Sequence, residues 1–278
     1  MKQYTRIELI NRLKAKLASG KIIVAGGAGT GISAKFEEEG GADILMVFNS
    51  GRYRMHGLGS LSGWMAYGDA NAISMEMGER QVLPITKEVP VVCSVNGTDP
   101  TRVMSVFLKK VVEAGFSGVN NFPTMGMIDG NFRATLEATG MGYDKEVDMI
   151  GLAHRMDIFT MAYAFKVEEA VAMAKAGCDM LLAHVGLTSG GSIGAVKTLT
   201  LDESADLVAE MNAAVKKVNP EIMVLCHGGP ISLPKDVEYI LSKVKVEGFV
   251  GASSMERLPV ETGIREMTAA FAAIPYRK

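Results

Sequence analysis

Short apolar runs rich in β-forming residues alternate with amphipathic stretches along the chain, and the alternation occurs eight times. Most runs lack polar alternation, which is typical of parallel strands covered on both faces. Eight such strands, each followed by a helix, predict an α/β protein with a (β/α)₈ or TIM barrel. The predicted strands are residues 21–25, 42–48, 89–95, 118–122, 159–164, 179–185, 222–226 and 248–250.

Three helical stretches carry apolar residues on one face, and a further helix is predicted before the first strand. The apolar positions are Val208, Met211, Val215 and Val218, then Val237, Ile240, Leu241 and Val244, and finally Ile264, Met267 and Phe271. Such faces predict helices that coat the sheet. Thr5 and Glu8 fit the T-x-x-E capping box of an N-terminal helix that Gly20 can end.

The length of 278 residues fits one barrel better than two small domains, because about 250 residues is usual for this fold. We expect one domain over residues 1–278, with the N-terminal helix in 1–20 and the barrel in 21–278. Three segments that follow predicted strands are longer than a minimal barrel requires and are candidate lids. They are residues 49–69, 125–157 and 186–200.

The charge balance points to a small metabolite as partner. Lysine and arginine total 29 against 31 acidic residues, a net charge of -2. This gives neither the basic footprint of a nucleic-acid binder nor a polybasic membrane patch. Charged residues interrupt the first 17 positions, and no apolar run approaches the ~18 residues that cross a bilayer. We therefore expect no membrane partner.

Cysteine usage favours a reducing compartment. Cys93, Cys178 and Cys226 are an odd set without CxxC spacing, which predicts neither a disulfide framework nor a zinc cluster. We expect a cytoplasmic protein. Exposed apolar and methionine-rich loops favour a homo-oligomer over a monomer.

Polar side chains follow the predicted strands, at the face where barrel enzymes carry their reactive groups. Three of the four histidines, His56, His184 and His227, fall on this face, and neutral imidazole suits proton transfer or metal binding near pH 7. The predicted catalytic residues are His184, His227, Asn96, Asn120, Tyr163 and Glu256. In the alternative interpretation, His184 and His227 are only hydrogen-bonded residues at packed strand ends.

Small residues after the seventh and eighth strands predict a site for an anionic ligand, because backbone N–H groups can approach phosphate or carboxylate there. The predicted binding residues are Gly27, Gly228, Gly229, Gly251, Ser253, Ser254 and Arg52. Two alternatives stay open. Gly228 and Gly229 can simply turn the chain, and Ser253 with Glu256 fits an S-x-x-E capping box that needs no ligand.

Carboxylates suited to a divalent cation are few. Asp69, Asp99, Asp129 and Glu256 lie on the expected face but in no recognised spacing, so they leave a magnesium site as an open possibility. Asp69 and Asp99 can instead cap or start the helices that follow them. Residues 29–34 fit the looser G-x-G-x-x-A dinucleotide pattern, but the second strand is followed by Asn49 rather than Asp or Glu. We expect no nucleotide cofactor.

Three motifs give the chain a resemblance to a known family. They are GFVGASSMERLP at residues 248–259, VAGGAGTG at 24–31 and CHGGP at 226–230. Together they resemble the phosphoenolpyruvate hydrolase-like family of TIM-barrel enzymes, over almost the entire chain. The resemblance implies an oligomeric barrel, related to phosphonopyruvate hydrolase and phosphoenolpyruvate mutase, that handles a small oxo-acid or phospho-acid. It also implies an acidic cluster that holds magnesium. Only Asp99, with Asp69 as a companion, stands near a suitable strand end, and the family's E-D-K type motif has no clear counterpart in this chain.

Two functions follow as competing hypotheses. The first is a hydrolase or lyase that cleaves a C–C, C–P or P–O bond in a small anionic acid, with His184 or His227 moving a proton. Negative charge on an enolate or oxyanion would be stabilised by Asn96, Asn120 and Arg52. The second is a non-catalytic ligand-sensing or signal-transduction barrel, favoured by the absence of a recognised nucleophile or metal motif.

Overall fold

The computed structural model describes residues 1–277 and confirms the (β/α)₈ barrel. Eight parallel strands pair in chain order, and the first pairs with the eighth to close the barrel. They are β1 (Ile23–Gly27), β2 (Ile44–Val47), β3 (Val91–Val95), β4 (Gly118–Asn121), β5 (Phe159–Ala164), β6 (Met180–His184), β7 (Met223–His227) and β8 (Gly248–Gly251). The seventh strand extends one residue beyond its predicted end, so His227 lies within β7.

The α-helices found within residues 1–277 connect and precede these strands. They are α1 (Arg6–Ala18), α2 (Gly31–Glu39), α3 (Asn49–Met55), α4 (Ala70–Met77), α5 (Met104–Glu113), α6 (Gly130–Ala138), α7 (Tyr143–Arg155), α8 (Val167–Lys175), α9 (Leu201–Val218), α10 (Pro234–Lys243) and α11 (Arg257–Ala272). Short 3₁₀ helices cover Ser60–Trp64 and Met125–Met127, and a π-helical turn covers Gly78–Val82. Much of segments 49–69 and 125–157 is therefore helical. Residues 186–200 contain no helix.

Helix α1 closes the N-terminal end of the barrel. Its predicted capping box is confirmed, because the Thr5 amide donates to the Glu8 carboxylate at 2.9 Å and the Glu8 amide donates to the Thr5 hydroxyl at 3.4 Å. Leu9 and Leu13 are fully buried and pack with Ile23 at the start of β1. The end of the barrel opposite the strand C-termini is therefore sealed by apolar side chains.

Side chains fill the inside of the barrel up to its C-terminal mouth. Along β5, Phe159, Met161 and Tyr163 point into the barrel, while the intervening Ala162 packs towards the helices. Aromatic rings form the uppermost layer, with Phe122 next to Tyr163 at a centroid distance of 5.7 Å. Because the interior is packed, as is usual for this fold, a ligand can bind only above this layer.

The predicted apolar faces coat the sheet in α9 and α10 but not in α11. Met211 and Ile240 are fully buried. In α11, Ile264, Met267 and Phe271 are 64%, 61% and 67% exposed, so the prediction that this helix covers the sheet is wrong. The apolar residues of α11 do recur at helical spacing, but they face outward. The helix leaves the barrel surface after its first turn, where Arg257 is its one buried residue in the described chain.

Cys93, Cys178 and Cys226 are free, as their spacing predicts, and all three are buried. Burial raises the pKa of each thiol, so none is a reactive thiolate near neutral pH. Across residues 1–277, no helix has both the length and the hydropathy of a membrane-spanning segment.

Candidate functional site

A cavity of about 180 Å³ opens at the C-terminal ends of the strands. This volume has room for roughly six water molecules, and so for a small metabolite. Aromatic rings form its floor, with Trp64 packed edge-on against Phe122 at 4.5 Å. The remaining wall residues include Phe48, Ser50, Arg54, Leu61, Tyr163, His184, Leu187, Thr188, Ile193, Ala195, His227, Ser253 and Arg257.

The two histidines at this cavity end neighbouring strands. His184 in β6 and His227 in β7 are register partners, which places their side chains side by side on the barrel interior. Their rings meet edge to face with centroids 4.4 Å apart, and both are buried. His184 also stacks on Phe165 at 4.3 Å. The prediction that both lie at the barrel mouth agrees with this placement.

Hydrogen bonds give the two imidazoles opposite roles. The Gly186 amide donates to His184 Nδ1 at 3.0 Å, so Nδ1 is unprotonated and a neutral ring carries its proton on Nε2. The His227 Nδ1 lies 2.6 Å from the Val250 carbonyl oxygen, which only accepts, so this Nδ1 carries the proton and Nε2 keeps its lone pair. The ring of His184 therefore donates through Nε2, and that of His227 accepts.

Burial keeps both rings neutral. Desolvation is the main cause that lowers the pKa of His184 well below its usual value, and electrostatic repulsion from the neighbouring His227 is the second. Desolvation, with a smaller contribution from Arg54, lowers the pKa of His227 to about 4, although the bond to Val250 opposes the shift. Near pH 7 the site therefore holds one neutral hydrogen-bond donor and one neutral proton acceptor.

Arg54 supplies a buried positive charge. Its Nη2 lies 2.5 Å from Glu256 Oε2 and 3.1 Å from the Gly27 carbonyl oxygen, and its Nε donates to the same Glu256 oxygen at 3.1 Å. Both side chains of this ion pair are at most 2% exposed. These bonds use Nε and Nη2, which leaves Nη1 for a ligand.

Glu256 holds Arg54 in place and does not line the cavity. Its Oε1 accepts from the Gly29 amide at 2.7 Å and from the Ser33 hydroxyl at 3.0 Å. No side chain caps the start of α11, so the alternative of an S-x-x-E capping box at Ser253 is wrong. The dinucleotide-like turn at residues 29–34 instead binds this carboxylate and begins α2, whose cap is Thr30.

A second buried carboxyl lies close to this ion pair. Neither oxygen of Glu37 has a hydrogen-bond partner within the described residues. Burial is the main cause that raises the pKa of Glu37 to about 8, and the negative charge of Glu256 is the second. Glu37 is therefore mostly protonated near pH 7. Arg54 is therefore balanced by one carboxylate and not by two.

Most of the predicted anion cradle does not reach the cavity. Ser253 lines it, but the Gly229 amide already donates to the Gly186 carbonyl at 2.7 Å. At Gly228 φ is +86°, and a Cβ there would lie 2.2 Å from the Gly186 carbonyl oxygen. The turn interpretation of Gly228 and Gly229 therefore fits the structure. Of the remaining predicted binding residues, Gly251 and Ser254 lie outside the cavity lining, and Gly27 contributes its carbonyl to Arg54.

Arg52 and Arg54 occupy different surroundings although they are two residues apart. Arg52 Nη2 lies 2.8 Å from Glu76 Oε2, and this ion pair lies outside the cavity, whereas Arg54 lines the cavity. The sequence prediction names Arg52 because it treats residues 49–69 as a loop. Residues two positions apart on a helix point in different directions, so recognising α3 is the signal that separates them.

The predicted magnesium residues lie in a separate depression of about 430 Å³, together with Asn96. Arg102 pairs with both carboxylates, at 2.6 Å from Asp69. Asp69 also caps α4. Although burial opposes it, hydrogen bonds from Thr101, Asn71 and Arg102 lower the pKa of Asp99 to about 2. In residues 1–277 no cluster of three His, Cys, Asp or Glu side chains is arranged for a metal. Because Arg102 already neutralises both carboxylates, Asp69 and Asp99 do not fit a magnesium site.

Asn120 lies below the aromatic floor and is fully buried. Its amide oxygen and nitrogen have no partner among residues 1–277, and its register neighbour Ser94 likewise has a free hydroxyl there. The next residue, Asn121, instead bonds to the backbone amide and carbonyl of Tyr163 at 2.6 and 3.1 Å. Asn121 thus fixes the strand that carries Tyr163 into the cavity, whereas Asn120 is not exposed to a ligand.

Comparison with known sequences assigns this barrel to a family. Residues 8–274 match the profile of the family described as phosphoenolpyruvate hydrolase-like. The chain belongs to the phosphoenolpyruvate hydrolase-like family. The resemblance expected from the three motifs is thereby confirmed, and it extends over nearly all of the chain.

Two relatives with quite different names align along this member of the family. The ToMV susceptible protein tm-1 of Solanum lycopersicum is 53% identical over 270 residues, which are 97% of this chain and 36% of that protein. The y4pA protein of Sinorhizobium fredii, named as a candidate transcriptional regulator, is 30% identical over 98% of this chain and 44% of its own length. The chain thus spans less than half of each relative.

Solved structures confirm the fold of the phosphoenolpyruvate hydrolase-like chain. A 2,3-dimethylmalate lyase described as a member of the phosphoenolpyruvate mutase/isocitrate lyase superfamily superposes with a TM-score of 0.62 at 16% identity, covering 99% of this chain and 91% of the lyase. Phosphonopyruvate hydrolase in complex with oxalate and Mg²⁺ gives 0.58 at 17% identity, covering 96% and 92%.

Proposed function

We propose that this phosphoenolpyruvate hydrolase-like protein is an enzyme of hydrolase or lyase type that acts on a small anionic oxo-acid or phospho-acid at the barrel mouth. The observation that carries the proposal is the pair of buried neutral histidines with opposite hydrogen-bonding roles, which share a cavity with Arg54. The names of the solved relatives, a phosphonopyruvate hydrolase and a dimethylmalate lyase, support acids of this class as candidates.

Each group has a defined part in this mechanism. Arg54 binds the carboxylate or phosphate through Nη1. His227 Nε2 accepts a proton from a substrate hydroxyl or from the attacking water, and His184 Nε2–H donates to the oxygen on which negative charge develops. The aromatic floor excludes water and strengthens these interactions. No step passes through magnesium, because Asp69 and Asp99 do not fit that ion.

Turnover tests this proposal. A panel of oxo-acids and phospho-acids, including phosphoenolpyruvate and oxaloacetate, is incubated with the protein with and without Mg²⁺, and products are followed by NMR. We expect at least one acid to be consumed by the wild-type chain and not by His184→Asn or His227→Asn. Equal product formation by all three proteins would contradict the assignment.

The value of kcat/KM should fall at acid pH and stay constant around neutral pH. A general base works in its neutral form, and burial lowers the pKa of His227 to about 4. We therefore expect kcat/KM to stay level from pH 7 to about 5 and then to fall roughly tenfold per unit below pH 4. An inflection near 6.5, the value of an exposed histidine, would contradict burial of the base.

A sensing role is the second candidate. The two curated relatives carry names from virus susceptibility and transcriptional regulation, and neither name describes a reaction. In this alternative the cavity binds the same acids without converting them. Saturable binding by calorimetry, combined with unchanged acid after prolonged incubation, would favour the sensor over the enzyme.

We also propose that the protein is a homo-oligomer in which a second copy covers the exposed apolar face of α11. The face consists of Val260, Ile264, Met267 and Phe271, and Ile274 continues it just beyond the end of the helix. It continues across a groove of about 490 Å³ to α2, where Ile32 and Phe36 are 65% and 56% exposed. An apolar surface of this extent on two adjacent helices is typical of an interface.

Charge placed on this face should disrupt assembly. We expect Met267→Lys to convert the oligomer to a monomer in light scattering coupled to gel filtration, because a lysine there would be desolvated without a partner. Ala269→Lys is the matched control, since it adds the same charge to the opposite side of α11. A monomeric wild-type chain, or equal masses for all three proteins, would contradict the proposed interface.

A further inference from the structure

One wall of the cavity is a loop without regular structure. Residues 187–195 supply Leu187, Thr188 and Ile193 to the cavity lining, and this segment is called the lid below. Gly186 and Gly190 have φ of +114° and +82°, a region that other residues rarely adopt. The closed path of the lid therefore depends on glycine at its start and near its tip.

The tip of the lid is bound by the first two turns of α11. The Ser192 amide and hydroxyl donate to the Glu261 carboxylate at 3.0 and 2.7 Å. Arg257 donates to Glu261 at 2.9 Å and to the Gly190 carbonyl at 3.0 Å. Glu261 thus contacts both the lid and Arg257, which lines the cavity.

The remaining hydrogen bonds of the lid lie within the loop or at its base. The Ala195 amide donates to the Thr188 carbonyl at 3.1 Å, and the Ser189 amide donates to the Gly229 carbonyl at 3.0 Å. Neither bond ties the tip to the body of the barrel. The hydrogen bonds that hold the tip on α11 are therefore those to Glu261 and Arg257, and the Leu258 side chain packs beside them.

We propose that Glu261 is a positioning residue that latches the lid over the cavity and orients Arg257 towards a bound anion. Closure shields the histidine pair from water, and opening admits the ligand. The latch stays charged over the physiological range, since partial burial is outweighed by the bonds from Ser192 and Arg257, which lower the pKa of Glu261 to about 2. The role in catalysis rests on the proposed function, whereas the latch itself does not.

Limited proteolysis tests the latch without a ligand. Lys197 lies two residues after the lid and its side chain is exposed, so trypsin cleavage there depends on local opening of this segment, and its rate reports opening of the lid. Glu261→Gln removes the charge of the latch, and Glu266→Gln makes the same change at an exposed position of α11. We expect cleavage at Lys197 to be about tenfold faster in Glu261→Gln, because bonds to a charged group are lost, and unchanged in Glu266→Gln.

A second variant and a second measurement guard against misfolding. Ser192→Ala removes one partner of Glu261 from the lid side and should accelerate cleavage by a smaller factor. Thermal unfolding of each variant must match the wild type. Equal cleavage rates at Lys197 in wild type and Glu261→Gln would overturn the latch.

Oxalate, a small dicarboxylate, distinguishes the latch from the function. Trp64, the single tryptophan of the chain, lines the cavity and gives a fluorescence signal for binding. We expect oxalate to protect Lys197 from trypsin in the wild type and to dissociate about tenfold faster from Glu261→Gln. Faster cleavage of Glu261→Gln without any oxalate binding would support the latch and count against the proposed ligand class. Equal oxalate dissociation rates would overturn the role of Glu261 in the site.

Discussion

Replacing His227 with asparagine is expected to lower kcat/KM by about 10²–10⁴-fold while the barrel stays folded. The asparagine amide can still donate to the Val250 carbonyl, as Nδ1 does in the wild type. It has no counterpart of Nε2, however, so the proton acceptor is lost. The loss is measured by steady-state kinetics on the acid identified by the turnover panel, with circular dichroism to verify folding.

His154→Asn is the control for this prediction, because His154 lies on α7 outside the cavity lining. It should leave kcat/KM within about twofold of the wild type, as expected for a change outside the reacting groups. His184→Asn keeps an acceptor for the Gly186 amide but loses the Nε2–H donor, and should lower kcat more than it raises KM. Activity retained in both cavity variants would place the reacting groups elsewhere.

Replacing Arg54 with methionine should destabilise the fold by about 3–5 kcal/mol and abolish ligand binding. The loss of stability arises because Glu256 is left buried with an uncompensated charge. The loss of binding arises because Arg54 is the proposed anion-binding group, and Glu261 partly neutralises the Arg257 guanidinium that remains at the cavity. Urea unfolding and oxalate titration measure the two effects separately.

The double variant Arg54→Met, Glu256→Gln separates these two roles. A neutral glutamine removes the buried charge, so most of the unfolding free energy should return, while binding stays lost. Recovery of oxalate affinity in the double variant would contradict the role of Arg54 as the anion-binding group. An unchanged midpoint in the single variant would contradict burial of the ion pair.

The barrel and the position of its site follow from local sequence patterns. Strands buried on both faces are continuous apolar runs, and eight of them in alternation with helices leave one closed arrangement. His184 and His227 are predictable as site residues because the end of a strand defines the mouth. Their opposite hydrogen-bonding roles are not, since these depend on the Gly186 amide and the Val250 carbonyl.

The site features that the sequence does not predict depend on contacts between segments that are distant along the chain. From the sequence, Glu256 can be interpreted as a helix cap or a catalytic acid. Its ion pair with Arg54 is not predictable because the two residues are 202 positions apart. The pairing of Asp69 and Asp99 with Arg102 has the same origin. The apolar period of α11 predicts a buried face, but periodicity does not specify which surface covers it.

A crystal structure of the protein with oxalate tests the central claim most directly, because it locates the anion and its neighbours together. The proposed site predicts oxalate density in the cavity, within hydrogen-bond distance of Arg54 Nη1 and of Nε2 of His184 or His227. Density beside Asp69 and Asp99 with a metal ion, or at the Gly228–Gly229 turn, together with a cavity that holds only water, would contradict it.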